Sequence, residues 1–187
     1  RLVKQKLEEA SQPVFLTREP GGKDLAFAED VRKIIMKHGD IDPITELLLF
    51  EASRREHITK KIIPYQKEGY LVISDRFADS TIVYQGMVKG VDVDTVKKAN
   101  DIAVGNHYPE LVFIFDIDPV VGTERIVSNE RKTNRFDKED LSFHQKIRES
   151  YIKLYQSDKE KYKLIDASKT PEEITDEIIN IINNHYA

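Results

Sequence analysis

The chain has 187 residues, 33% charged and 40% hydrophobic, with 29 Lys+Arg against 33 Asp+Glu for a net charge of −4. A chain of this length buries roughly two-thirds of its unfolded surface, which predicts a single domain over 1–187, and its acidic balance excludes bulk attraction to a polyanion, so no nucleic-acid partner is expected. The lack of cysteine excludes disulfides and thiolate chemistry, and with no apolar run near ~18 residues and no signal-peptide pattern, no membrane partner is expected and the predicted location is cytoplasmic.

Residues 1–10 carry a helical stripe of Leu2, Val3, Leu7 and Ala10. No capping residue precedes it, so the sequence is expected to enter within a helix, with further residues ahead of Arg1. Val14-Phe15-Leu16 then reads as a short strand, and Ala26 to Met36 as a helix. Asp42-Pro43 forms a cap with Pro in the first turn, opening a long amphipathic helix to about Lys67, where Gly69 stops it. Tyr70 to Ser74 is a continuous apolar strand. A helix over Asp94–Ala103 leads to the strongest strand, Leu111 to Phe115. Pro119 starts another helix. The charged stretch 128–138 is predicted to be a mobile lid. Asp140–Gln156 is helical, Tyr162–Ile165 is a strand, and Pro171–Asn183 is the closing helix.

Strands that are apolar on both faces, alternating with helices, define an α/β fold: a three-layer, doubly wound parallel sheet. Ligands of such sheets sit beyond the carboxyl ends of the strands. Those ends read Thr17-Arg18-Glu19-Pro20-Gly21-Gly22, Asp75-Arg76, Asp116-Ile117-Asp118 and Asp166-Ala167-Ser168. Taken together, these polar mouths predict one shared crevice. Asp75 at a strand tip suits a hydrated Mg²⁺, and the planar fork of Arg76 suits a phosphate. On the dipeptide alone, a local salt bridge is an equal reading.

The motifs become specific as a set. TREPGG at 17–22, Phe50-x-x-x-Arg54, and Asp75-Arg76-Phe77 running on through Ser80 to Tyr84-Gln85-Gly86 follow one another in order. With the charged stretch at 131–139, they resemble the thymidylate kinase family of P-loop nucleoside monophosphate kinases. The resemblance covers nearly the whole chain. The family's Gly-rich G-x-x-x-x-G-K-[ST] loop and its central first strand have no counterpart here, so four strands are visible and both missing parts are expected before Arg1.

The resemblance implies transfer of the ATP γ-phosphoryl group to dTMP, giving dTDP for dTTP synthesis, with Mg²⁺ and a homodimer. Another nucleoside monophosphate kinase is the nearest alternative. A non-catalytic nucleotide-binding protein is the alternative from another class. The resemblance also implies residue roles. Arg76 holds the dTMP phosphate, and Asp75 supports the metal, possibly through water. Phe50 stacks on thymine, and Arg54, one turn on, donates to a thymine carbonyl. Taken alone, Phe50 within Leu47-Leu48-Leu49-Phe50 reads first as a core aromatic, and Arg54 on the same face tips the reading towards the base. Ser80, Thr81 and Gln85 contact the base edge, with Thr81 and Gln85 on one face by helical spacing. Tyr84 crowds the sugar 2′ position, a core tyrosine being its other reading. Glu19 and Pro20 line the sugar-phosphate side. Arg135, and after it Arg131, act as catalytic lid arginines, while Arg125 and Lys169 flank adenine. The five histidines show no metal-ligand spacing and are expected to be structural or at the surface.

Overall fold

A computed structural model describes residues 1–22, 24–128, 136 and 139–186. Helix α1 (Leu2–Glu9) leads into strand β1 (Val14–Arg18), followed by α2 (Ala26–Lys37) and α3 (Pro43–His57). A π-helical stretch, Ile58–Ile62, joins α3 to α4 (Ile63–Lys67), so the predicted long helix is continuous with one internal change of winding. Then come β2 (Leu71–Asp75), α5 (Ala78–Thr81), a second π-helical stretch (Ile82–Val88) and α6 (Val93–Val104). The chain closes with β3 (Val112–Asp116), α7 (Pro119–Ser128), α8 (Leu141–Ser157), β4 (Tyr162–Asp166) and α9 (Pro171–Tyr186).

The helix starts follow from side-chain capping. Asp42 accepts from the backbone N–H of Ile44 and Thr45, both at 3.0 Å, with Pro43 in the first turn. Asp92 caps α6 through Thr95, and Asp140 caps α8 through Phe143. Each such cap is worth about 1 kcal/mol.

The parallel strands are short, and alternate residues serve opposite layers, as strand geometry requires. Ile73 and Phe113 pack with Val14 and Ile165 against Leu7 of α1 and Ile178 and Ile182 of α9. On the other face Val72 meets Ile58, Ile62 and Val104, while Ile114 and Tyr162 meet Val83 and Leu154. Helices therefore cover both faces, as the apolar strands predict.

The hydrogen bonding differs from one continuous four-stranded sheet. Among the described residues β1 pairs with β2 and β3 with β4, as two separate parallel pairs. The pairs share the α1/α9 apolar layer without sharing backbone hydrogen bonds. Side-chain burial, which the sequence pattern reports, is blind to that distinction.

Register is what positions the site. Arg18 lies opposite Asp75 at the tips of β1 and β2. The Glu19 N–H donates to the Asp75 carbonyl at 2.9 Å, so the loops after the two strands leave side by side.

Candidate functional site

The two loops open onto a cavity of about 280 Å³. Its walls include Glu19, Pro20, Phe50, Arg54, Arg76, Ser80, Thr81, Tyr84 and Gln85. The nine residues suggested for the acceptor side thus lie on one cavity.

The loop after β1 is shaped by close approach. Gly21 has φ +106°, and a Cβ there would meet Glu29 Oε1 at 2.5 Å. A Cβ on Gly22 would meet the His57 ring at 2.9 Å. Glu29 accepts from the Gly22 N–H at 3.0 Å and from Arg18 at 2.9 Å, pinning the loop to α2. On the neighbouring strand tip Arg76 has φ +68°. A left-handed conformation at a non-glycine residue costs of order 1–3 kcal/mol and concentrates at functional sites. Its guanidinium lies 5.1 Å from the Tyr84 ring centroid.

Arg54 is held on several sides. It is 2% exposed. Its Nε donates to Glu19 at 2.8 Å, and its Nη1 donates to Glu51 and to Asn100 Oδ1, the latter at 2.8 Å. Glu19 also meets His57 Nδ1 at 3.1 Å, and His57 Nε2 meets the Thr17 hydroxyl at 2.7 Å. Burial pushes the Glu51 carboxyl above the ordinary carboxylate range, with the adjacent Arg54 opposing that rise. Glu19 therefore lines the cavity but directs its carboxylate at Arg54 and His57. Among the described residues Arg54 Nη2 has no hydrogen-bond acceptor, so it is the guanidinium nitrogen that can meet a ligand.

Phe50 is half-buried on the cavity wall and belongs to none of the three buried apolar clusters. Thr81 and Gln85 do reach the same cavity, although the backbone from Ile82 is π-helical and not the α-helix their spacing assumed. The Thr81 hydroxyl lies within hydrogen-bond distance of two acceptors, the Ala78 carbonyl at 2.8 Å and Asn100 Oδ1 at 2.9 Å, and its one proton serves either of them. The Ser80 hydroxyl meets the Tyr151 hydroxyl at 3.2 Å.

Arg32, Met36, Phe77, Phe136, His144 and Ile147 also line the cavity and were not singled out from sequence. Arg32 donates to the Pro20 carbonyl at 3.1 Å. Burial, then the nearby Arg18 guanidinium, pushes its pKa down, and Arg76 adds to this. Cations that depress one another in this way favour an anion between them.

Asp75 is exposed at the β2 tip. Among the described residues no cluster of three His, Asp or Glu side chains could hold a metal. A single open carboxylate fits Mg²⁺ brought in on phosphate oxygens and water, and does not fit a protein-caged ion.

The mouths of β3 and β4 depart from the single-crevice expectation. Asp116 forms a two-point pair with Arg148 at 2.7 and 3.1 Å. Asp166 accepts from the N–H and hydroxyl of Ser168 as a local turn. Both carboxylates are engaged nearby and line no part of the cavity. Arg125 donates to the Ala167 carbonyl at 2.8 Å, and Lys169 pairs with Glu177 at 2.9 Å, so these two sit together beyond β4 and apart from the cavity. Arg131 and Arg135, with most of the 128–138 stretch, lie outside the described residues.

An arginine-lined cleft beyond parallel strand tips suits a ligand that carries phosphate. Residues 1–178 match the family described as Thymidylate kinase. The chain is 45% identical over 171 residues to the thymidylate kinase of Geobacillus sp. (strain WCH70), covering 90% of this chain and 80% of that one. It is 38% identical over 182 residues to the thymidylate kinase of Staphylococcus haemolyticus (strain JCSC1435), covering 97% and 88%. The chain belongs to the thymidylate kinase family, a family of phosphotransferases.

Proposed function

We propose that the protein transfers the γ-phosphoryl group of ATP to dTMP, giving dTDP on the route to dTTP. Beyond family membership, the observation that carries this reading is the convergence of Phe50, Arg54, Arg76, Tyr84 and Gln85 on one cavity. Phe50 offers a face for stacking the base, and the buried Arg54 offers a fixed donor. Arg76, with Arg32 nearby, receives the 5′-phosphate. Tyr84 closes the sugar side, its ring held edge-on by Phe136 at 5.6 Å.

The acceptor oxygen belongs to an already ionised phosphate, so no general base is required. The chain's work is positioning and charge neutralisation. Mg²⁺ near Asp75 would supply further charge neutralisation on the phosphates. Arg135 and Arg131 act on the transferred group, and Arg125 and Lys169 flank the adenine. The finer architecture proposed is a doubly wound sheet of the P-loop nucleoside monophosphate kinase type. In it a central strand lies between the β1–β2 and β3–β4 pairs.

Phe50→Ala tests the acceptor site. Stacking on a base is worth about 1–3 kcal/mol, so the variant should bind dTMP roughly tenfold or more weakly while ATP affinity holds. Calorimetric titration of both nucleotides reads this directly. Equal losses for both would return Phe50 to a packing role.

The proposed homodimer draws support from exposed apolar side chains. Phe27 and Ile34 lie two turns apart on α2, and Ile44 and Leu48 one turn apart on α3, each between 46% and 59% exposed. The occupant proposed for this surface is a second copy of the chain. Leu48→Glu should shift the sedimenting species from dimer to monomer, and an unchanged dimer would place the interface elsewhere.

A further inference from the structure

We propose that Glu46 is a positioning residue that fixes which end of the Gln85 amide meets the nucleobase, and so selects thymine against cytosine. The inference rests on the acceptor-site reading above and deepens it. Glu46 sits on α3, fully buried, behind the cavity wall and not among its lining residues. Its Oε2 receives two donors, Gln85 Nε2 at 2.7 Å and Lys89 Nζ at 2.7 Å. Gln85 lies within the π-helical stretch and Lys89 immediately after it, so one turn of chain delivers both donors to one carboxylate.

A glutamine amide has a donor end and an acceptor end, and a half-turn about its last bond exchanges them. Facing an ammonium, the Glu46 carboxylate offers only lone pairs. The amide therefore fits it in one sense, with the NH₂ inward. The reverse sense would press two acceptor oxygens together in a buried place, leaving both without a donor. Gln85 is 1% exposed and lines the cavity. With Nε2 held by Glu46, Oε1 is the end that remains for a ligand.

Arg54 on the same cavity is fixed in the complementary sense. Glu19, Glu51 and Asn100 hold its Nε and Nη1, leaving Nη2, which can only donate. The wall thus presents one donor and one acceptor. Thymine and uracil match this pair with a C4 carbonyl and an N3–H. Cytosine presents the inverse, an amino group and a bare N3. An unrestrained Gln85 could turn its NH₂ to the cytosine N3 and relax the choice. Glu46 removes that option, and Lys89 keeps the carboxylate paired while it does so.

The test compares dissociation constants of dTMP and dCMP, by calorimetry on the active enzyme, for wild type, Glu46→Leu, Glu46→Gln and Gln85→Leu. Glu46→Leu should weaken dTMP about tenfold without weakening dCMP, so the ratio of the two constants falls by about tenfold or more. A merely structural role for Glu46 would weaken both ligands alike and leave the ratio in place. Should Glu46→Leu fail to fold, Glu46→Gln is judged by the same ratio, because its own amide accepts either sense of Gln85. A folded Glu46 variant whose ratio stays within about threefold of wild type overturns the proposal. Gln85→Leu separates the two ways of failing. If it collapses the ratio and the Glu46 variants do not, Gln85 reads the base and only the lock is wrong. If it also leaves the ratio unchanged, the base-edge role of Gln85 is wrong and the lock falls with it.

Discussion

Arg54→Met is expected to destabilise the fold by about 3–5 kcal/mol, because it breaks a buried ion pair by removing one partner. The guanidinium stands between Glu19 and Glu51, whose side chains are 4% and 7% exposed. Without it, two buried carboxylates face each other with no cation between them. The loss should depend on pH. Burial already raises the Glu51 carboxyl, and removing Arg54 removes the main influence that opposes that rise. A carboxyl raised in the folded state binds its proton more readily there than in the unfolded chain. The stability it contributes is therefore present at low pH and lost as pH rises through the folded pKa. The deficit of Arg54→Met should accordingly shrink on acidification from about pH 7 towards about pH 5. Urea unfolding at several pH values measures both effects. Arg54→Lys should keep part of the stability yet bind dTMP poorly, because a point charge does not reproduce the fixed fork. A stability loss below about 1 kcal/mol in Arg54→Met would mean that water, and not Arg54, compensates these carboxylates.

The parts of the fold that the sequence made legible are those with local causes. Asp42-Pro43 starts α3 through its own side chain and ring, and the apolar runs at 71–73 and 112–114 mark strands packed on both faces, while Phe115 at the tip of β3 is exposed. The cavity was legible through motifs, since Glu19, Phe50, Arg54, Arg76 and Gln85 were picked out by their pattern before their positions were known. The network that fixes them was not. Glu46, Glu51, Ser53, Arg54 and His57 form a buried polar face on α3. In sequence such residues read as a solvated helix surface, because charged groups are seldom buried without partners. Their partners lie far along the chain: Glu19 is 35 residues from Arg54, Asn100 is 46 residues from it, and Gln85 is 39 residues from Glu46. No local spacing encodes those meetings. Arg32 carried no motif and His144 read as a structural or surface histidine for the same reason: both are single polar residues on helices whose relation to the cavity is set only by packing.

The largest kinetic effect is expected at Arg135. The arginines on the acceptor cavity have other tasks: Arg54 is tied to Glu19 and Glu51, and Arg32 reaches the Pro20 carbonyl. Arg76 and Arg32 face the acceptor phosphate in the proposed reading. Charge that develops on the phosphoryl group in flight needs a further cation. The sequence after α7 supplies Arg131 and Arg135. The next residue, Phe136, lines the cavity against Tyr84, which favours Arg135 over Arg131 for this task. An arginine that meets transition-state charge is worth on the order of 10³-fold or more in kcat. Arg135→Ala, made in the active enzyme, should lose that factor while the dissociation constant of dTMP stays near its original value. Arg131→Ala should lose less. Single-turnover phosphoryl transfer at saturating ATP and dTMP separates the chemical step from binding and product release. A normal rate in Arg135→Ala would assign the stretch a role outside catalysis. An equal loss of rate and of dTMP affinity would make Arg135 an acceptor-binding residue, with the charge of the transferred group met elsewhere.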